Sequence, residues 1–229
     1  MPLNGSSQTN YIAKDFGFLR VAPEGLKRIR KNYSQVWQDI FALCVNDAKD
    51  HGTFIEIGGA QPFIGNNTWL LEKNYEWEGF SIELDKELAG MWMDKHGMPV
   101  RPLTPMYQTD ALEFDYVATV DELGLPHHMD YLSFDLEPPE ITLECLKKFP
   151  LDKLSFNCIT YEHDAYRQWG DIFAHRDIFE QHDYDRVGTN LRNSNCTMEE
   201  WYIHKSVDKT TRDILRHGNC EAYELLLDL

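Results

Sequence analysis

The residues most able to do chemistry in this sequence are carboxylates that follow short apolar runs. Thr53–Ile57 carries Glu56 and closes on Gly58-Gly59. Gly79–Leu84 ends near Glu83, and Asp110-Ala111 follows a third run. Tyr131–Asp135 continues into Leu136-Glu137, and Leu154–Tyr161 runs into Glu162-His163-Asp164. Charged groups are rarely buried unpaired, so a row of them at strand ends reads as a ligand edge rather than a core. Such an edge suits hydroxyl donors and cations. Glu83 lies about one β-α-β unit after Gly58, where an acidic side chain accepts both hydroxyls of a ribose. Asp110 can accept from an adenine amine, and Glu56 can meet an ammonium group. The Gly58-Gly59 loop is too long and bulky for close diphosphate contacts, because it lacks the third glycine and contains Pro62-Phe63-Ile64. Asp135, Glu162 and His163 admit two roles. They can be a general-base group with His163 oriented by Asp135, or oxygen and imidazole ligands for Mg²⁺ or Mn²⁺.

The elements that must position these groups alternate. Strands are predicted at 53–57, 79–84, 99–103, 131–135 and 154–161, with two more at 184–187 and 201–203. Helices are predicted from Trp69, over 86–95, 139–148 and 170–182. Asn66-Asn67-Thr68 is the expected cap before Trp69. This alternation implies an α/β fold with a mostly parallel seven-stranded sheet, helices on both faces and one antiparallel edge strand. Residues 24–48 have helical spacing, broken at Asn32-Tyr33-Ser34, and form an N-terminal helical cap. Residues 1–10 are a polar leader, 53–204 are the core, and the whole chain of 1–229 is one domain. The stretch 189–198 is expected as a polar loop. Tyr166 and Trp169, just beyond His163, are the aromatics placed to stack on an acceptor.

Composition narrows the partners. The 229 residues carry a formal net charge of −16, which repels nucleic acid and anionic membranes. The five cysteines are widely spaced with no C-x-x-C, as in a reduced protein without a zinc cage. Residues 1–20 show no apolar signal core and no run is long enough to span a membrane, so a cytoplasmic protein is expected. The N-x-S/T sequons at Asn32, Asn66 and Asn195 are then coincidental.

Several motifs in order carry a specific resemblance. They are Ser34-Gln35-Val36-Trp37-Gln38-Asp39, Gly52–Gly59, Asn67-Thr68, Leu71-Glu72-Lys73, Trp77-Glu78-Gly79 and Ile82-Glu83. Asp130–Glu137 and Glu162-His163 continue them in register to about residue 204. The sequence resembles the FkbM family of S-adenosylmethionine-dependent methyltransferases. The resemblance implies a Rossmann-like class I methyltransferase fold. It also implies a cofactor site lined by Glu56, Gly58, Gly59, Thr68, Glu83, Asp110 and Ala111, closed by Ser34 and Gln38. It implies O-methylation of a hydroxyl on a sugar or glycan, with Asp135, Glu162 and His163 at the acceptor. Pro138-Pro139-Glu140 departs from the family's glycine after the D-x-E and stiffens the loop beside the acceptor. Two other functions fit parts of the pattern. One is a glycosyltransferase with Asp135 and Glu137 as a D-x-D-like metal clamp, and the other is a non-catalytic S-adenosylmethionine-binding module. The loose leader leaves room for the chain to be one module of a longer glycan-processing protein.

Overall fold

The computed structural model describes residue 29 and residues 31–167, 170–193, 196–214 and 217–218. The leader 1–10, the first part of the helical cap, Trp169 and Asn195 lie outside them. The strands are β1 (Thr53–Ile57), β2 (Glu78–Glu83), β3 (Met106–Gln108), β4 (His128–Phe134) and β5 (Ser155–Glu162). They continue as β6 (Tyr184–Asn193), β7 (Cys196–His204) and β8 (His217–Gly218). All eight form one sheet in the order β3-β2-β1-β4-β5-β7-β6-β8. The first five pair in parallel. β7 is the antiparallel strand, lying between β5 and β6 near one end of the sheet. The protein thus has the expected Rossmann-like, mostly parallel architecture, with the two-residue β8 added outside β6.

Among the described residues seven α-helices accompany the sheet: α1 (Gln38–Val45), α2 (Trp69–Tyr75), α3 (Lys86–Gly90), α4 (Tyr116–Leu123), α5 (Pro139–Lys148), α6 (His175–Gln181) and α7 (Lys209–Ile214). Strand residues alternate between the two sheet faces. Phe54, Tyr131, Cys158, Trp201 and Ile203 pack with α1 and α2. Ile55, Ile57, Phe80, Ile82, Leu132, Phe134, Ile159, Tyr161 and Tyr202 pack with α4, α5 and α6. Both faces are covered, so the central strands read as continuous apolar runs. Asp85 caps α3 by accepting from the Glu87 and Leu88 amides, and Asp115 caps α4 through the Ala118 amide. Pro139 begins α5 where a missing amide costs nothing.

The differences from expectation have local causes. The third strand is 106–108, not 99–103, because Arg101 turns inward to an ionic cluster. α4 has few buried residues and shows no clear periodicity in sequence. The predicted loop 189–198 is mostly strand, with Asn193 opposite Cys196 and bulges along the ladder. Its polar side chains sit on a half-buried hairpin, which hid the period. The α6 helix starts at 175, and only 38–45 of the predicted 24–48 cap is helical among the described residues.

Candidate functional site

A parallel sheet brings the carboxyl ends of β1 to β5 to one edge, and the antiparallel β7 adds its beginning there. At β1 the chain turns sharply. Gly58 has φ +90°, and a Cβ on it would lie 1.8 Å from the Asp135 carbonyl oxygen. The Gly58 and Gly59 amides both donate to the Ile82 carbonyl at 2.9 Å, pinning the turn against β2. The next amide, of Ala60, donates to Glu83 Oε2 at 2.9 Å, and the Asp85 amide donates to Oε1 at 2.8 Å. Glu83 is therefore held rigidly while half-exposed, with lone pairs left for further donors. Asp110 is half-buried and accepts from the Leu112 amide at 2.9 Å, and Ala111 is buried beside it. Gly58, Gly59, Glu83, Asp110 and Ala111 thus gather around the β1–β2–β3 end.

Glu56 and Thr68 instead serve the loop between β1 and α2. Glu56 is buried and accepts from the Asn66 side chain and the Asn67 amide, both at 3.1 Å, and from the Ser81 hydroxyl. Burial raises its pKa, and the Arg101 guanidinium opposes that shift. Arg101 is buried too. It bonds Glu72 at 2.7 Å, Asn66 at 2.9 Å, Thr68 at 3.0 Å and Thr104 at 3.1 Å. Its guanidinium lies 4.6 Å from the Trp92 ring centre and 5.6 Å from that of Trp69. Asn66 ties this cluster together, accepting from the Thr68 and Trp69 amides as the expected cap does. The Glu56 carboxylate is thus filled by protein donors rather than left for an ammonium, and Thr68 points into the cluster. Nothing in the spacing marks Arg101, because apart from Thr104 its hydrogen-bond partners lie about thirty residues away.

The other half of the edge is more acidic. Asn67 donates to Asp135 Oδ2 at 3.1 Å and to the Ser133 hydroxyl at 2.9 Å. Glu162 lies opposite Glu199 in the β5–β7 ladder. Glu199 accepts from Gln38 and from the Trp201 indole, both at 2.7 Å. Burial pushes the Glu199 carboxyl up to about 8, with Asp135 and Asp164 adding to the shift. Burial also holds Glu162 well above the usual carboxylate range, reinforced by Asp135, Asp164 and Glu199. Gln38 reaches the edge through Glu199, whereas Ser34 is locked by its hydroxyl onto Asp39 at 2.5 Å. Arg167 closes the outside. It grips Glu137 at 2.7 and 2.8 Å and meets Asp164 at 3.1 Å. Tyr166 is 43% exposed, with its hydroxyl 3.4 Å from Asp164.

His163 corrects the expectation. Consecutive residues at the end of β5 face opposite ways, so Glu162 faces Asp135 while His163 turns to the other side. Its ring centre is 5.6 Å from that of His175 and 5.7 Å from that of Phe173. Nδ1 accepts from the Ala165 amide at 3.1 Å. Burial, then neighbouring His175, lowers its pKa to about 4. His163 is thus a neutral packing residue. Among the described residues the carboxylates that Glu162 gathers with are Glu137 and Asp164, not the expected set Asp135–Glu162–His163, and no Asp135–His163 hydrogen bond is formed. Asp135 and Glu137 also part, the first toward Asn67 and the second toward Arg167. Beyond His163, Glu200 is bonded by His175 at 3.1 Å and by Arg176 at 3.0 Å. Burial works against its charge, but these donors hold it well below its ordinary value.

No family model and no curated protein matches this sequence. Among solved structures, the chain is similar to an rRNA methylase from Streptococcus thermophilus. That match has a TM-score of 0.49 and 14% identity over 77% of this chain and 98% of that one. It is also similar to a precorrin-6y C5,15-methyltransferase from Geobacter metallireducens, with a TM-score of 0.46 and 13% identity over 73% of this chain and 87% of that one. A third is an RNA methyltransferase from Salinibacter ruber in complex with S-adenosyl-L-homocysteine, at a TM-score of 0.42 and 16% identity over 75% and 93% of the two chains. Those proteins are methyltransferases. With TM-scores below 0.5, the function of this chain rests on its own residues.

Proposed function

We propose that this protein is an S-adenosylmethionine-dependent methyltransferase acting on a hydroxyl of a sugar or glycan. The observation that carries this is Glu83. Its carboxylate is fixed by the Ala60 and Asp85 amides beside the positive-φ turn at Gly58, and the lone pairs left on its two oxygens suit two vicinal hydroxyls. Asp110 and Ala111 would flank the base. When bound, S-adenosylmethionine supplies an activated methyl group on a positively charged sulfur. An acidic edge favours that charge, and the net charge of −16 favours a neutral polyol over an anionic acceptor. An aliphatic hydroxyl is a weak acid, so its proton must be received as the new carbon–oxygen bond forms. Asp135, oriented by Asn67, is the residue assigned to accept it.

The test is calorimetry with S-adenosylhomocysteine. The wild-type protein should bind it saturably. Glu83→Gln should lose roughly 1.5–3 kcal/mol, a ten- to hundred-fold weaker dissociation constant, by removing a charged acceptor. An equal affinity in the variant removes the ribose assignment. No heat with folded wild-type protein removes the methyltransferase. Mass spectrometry of an oligosaccharide library incubated with the donor then identifies the acceptor.

A further inference from the structure

We propose that Glu137, Glu162 and Asp164 form a binding site for a divalent cation, with Arg167 as the residue that competes for it. One carboxylate oxygen from each of the three lies within 4.8 Å of the others. Metal–oxygen bonds of about 2.0–2.6 Å allow ligand oxygens to stand up to about 5 Å apart around one ion. Proximity of acids alone would not make a site, but Asp164 supplies a second observation. It is 1% exposed, and its Oδ1 has no hydrogen-bond partner, although buried polar groups nearly always have one. Glu162 beside it is only 8% exposed, and its neighbours at this edge are the carboxyls of Asp135, Asp164 and Glu199.

The cation already present does not reach these atoms. Arg167 lies at the surface, 40% exposed, with both terminal nitrogens on Glu137 and Nε near Asp164 Oδ2. It neutralises the outer side of the cluster and leaves Asp164 Oδ1 without a partner. A guanidinium is planar and extended, and it cannot enter between three carboxylates as a small ion can. The donor set is all oxygen and anionic, which selects hard ions such as Mg²⁺, Mn²⁺ or Ca²⁺ over softer ones. His163 takes no part, since it faces the opposite side of the sheet. An ion here would stand beside Asp135, next to the hydroxyl to be methylated. That functional role rests on the reading above, whereas the binding itself does not.

Calorimetry of chelator-stripped protein with MgCl₂, MnCl₂ and CaCl₂, without S-adenosylmethionine or acceptor, tests the site. At least one ion should bind with a stoichiometry of one. Glu162→Gln and Asp164→Asn should each weaken it by at least about tenfold through loss of ligand charge. Arg167→Ala should tighten it, because the competing cation is gone. That sign separates a ligand from a competitor, and melting curves establish that each variant is folded. No binding of any of the three ions overturns the proposal. Unchanged affinity in folded Glu162→Gln, or weaker binding in folded Arg167→Ala, does so too. Cation binding in a protein that ignores S-adenosylhomocysteine would keep this site and sink the methyltransferase. The converse result would do the opposite.

Discussion

Asp39 shows how far a single side chain can be displaced from its ordinary chemistry. It is fully buried and accepts from the Tyr33 amide at 2.7 Å, the Ser34 amide and hydroxyl, and the Ile40 amide. Burial outweighs those donors and raises its pKa to about 6. The folded value is above the unfolded one, so the folded state holds the proton more tightly. Its contribution is present in full below about pH 4 and is lost as pH rises through about 6. Asp39→Asn should therefore flatten the pH dependence of stability across that window by up to about 3 kcal/mol. Urea unfolding of both proteins at several pH values measures the difference, and parallel curves would refute the assignment. Asp39 was visible in the sequence only as part of a motif. Glu83 and Gly58 were legible individually, because a strand end followed by a glycine turn dictates both position and exposure. Glu199 was not, since its partner Gln38 lies 161 residues away and β7 runs antiparallel to β5, so that its beginning rather than its end meets the edge.

The loop from β1 to α2 behaves as an element of its own, although it contains no regular structure. Its shape comes from Arg101, whose charge is matched by Glu72 and Glu56 and whose faces are covered by Trp92 and Trp69. Replacing Arg101 with Leu leaves two buried carboxylates unpaired, and loss of one partner from a buried ion pair costs about 3–5 kcal/mol. Chemical denaturation should show a lower midpoint of about that size. Arg101→Leu/Glu72→Leu should recover part of the loss, since both unpaired charges are not then left behind. Such a loop cannot be read from local pattern, because 99–103 has the hydropathy of a strand but carries the arginine that breaks it. The opposite holds for β1, β2, β4, β5 and α5. Their apolar runs and the proline start of α5 gave bounds within a few residues of those observed. The strand alternation at the end of β5, carried one residue further, puts His163 and Glu162 on opposite faces.

At the scale of the whole molecule, charge and connectivity dominate. A net charge of −16 on one compact sheet makes self-repulsion a standing cost. Raising KCl from about 10 to about 100 mM shortens the screening length from about 30 to about 10 Å. The melting temperature should rise by about 2–4 °C for each kcal/mol of repulsion removed, as scanning calorimetry would show. A melting point that fell with salt would mean that surface ion pairs, not repulsion, govern the balance. Connectivity has a separate outcome. All eight residues of α1 are buried, yet much of the surface that covers them, Val187, Leu191, Trp201 and Ile203, belongs to the β6–β7 hairpin near the other end of the chain. During synthesis on the ribosome, this greasy helix emerges well over a hundred residues before its cover. It must wait, only partly covered, until the β6–β7 hairpin is made, and that interval is when a chaperone has something to hold.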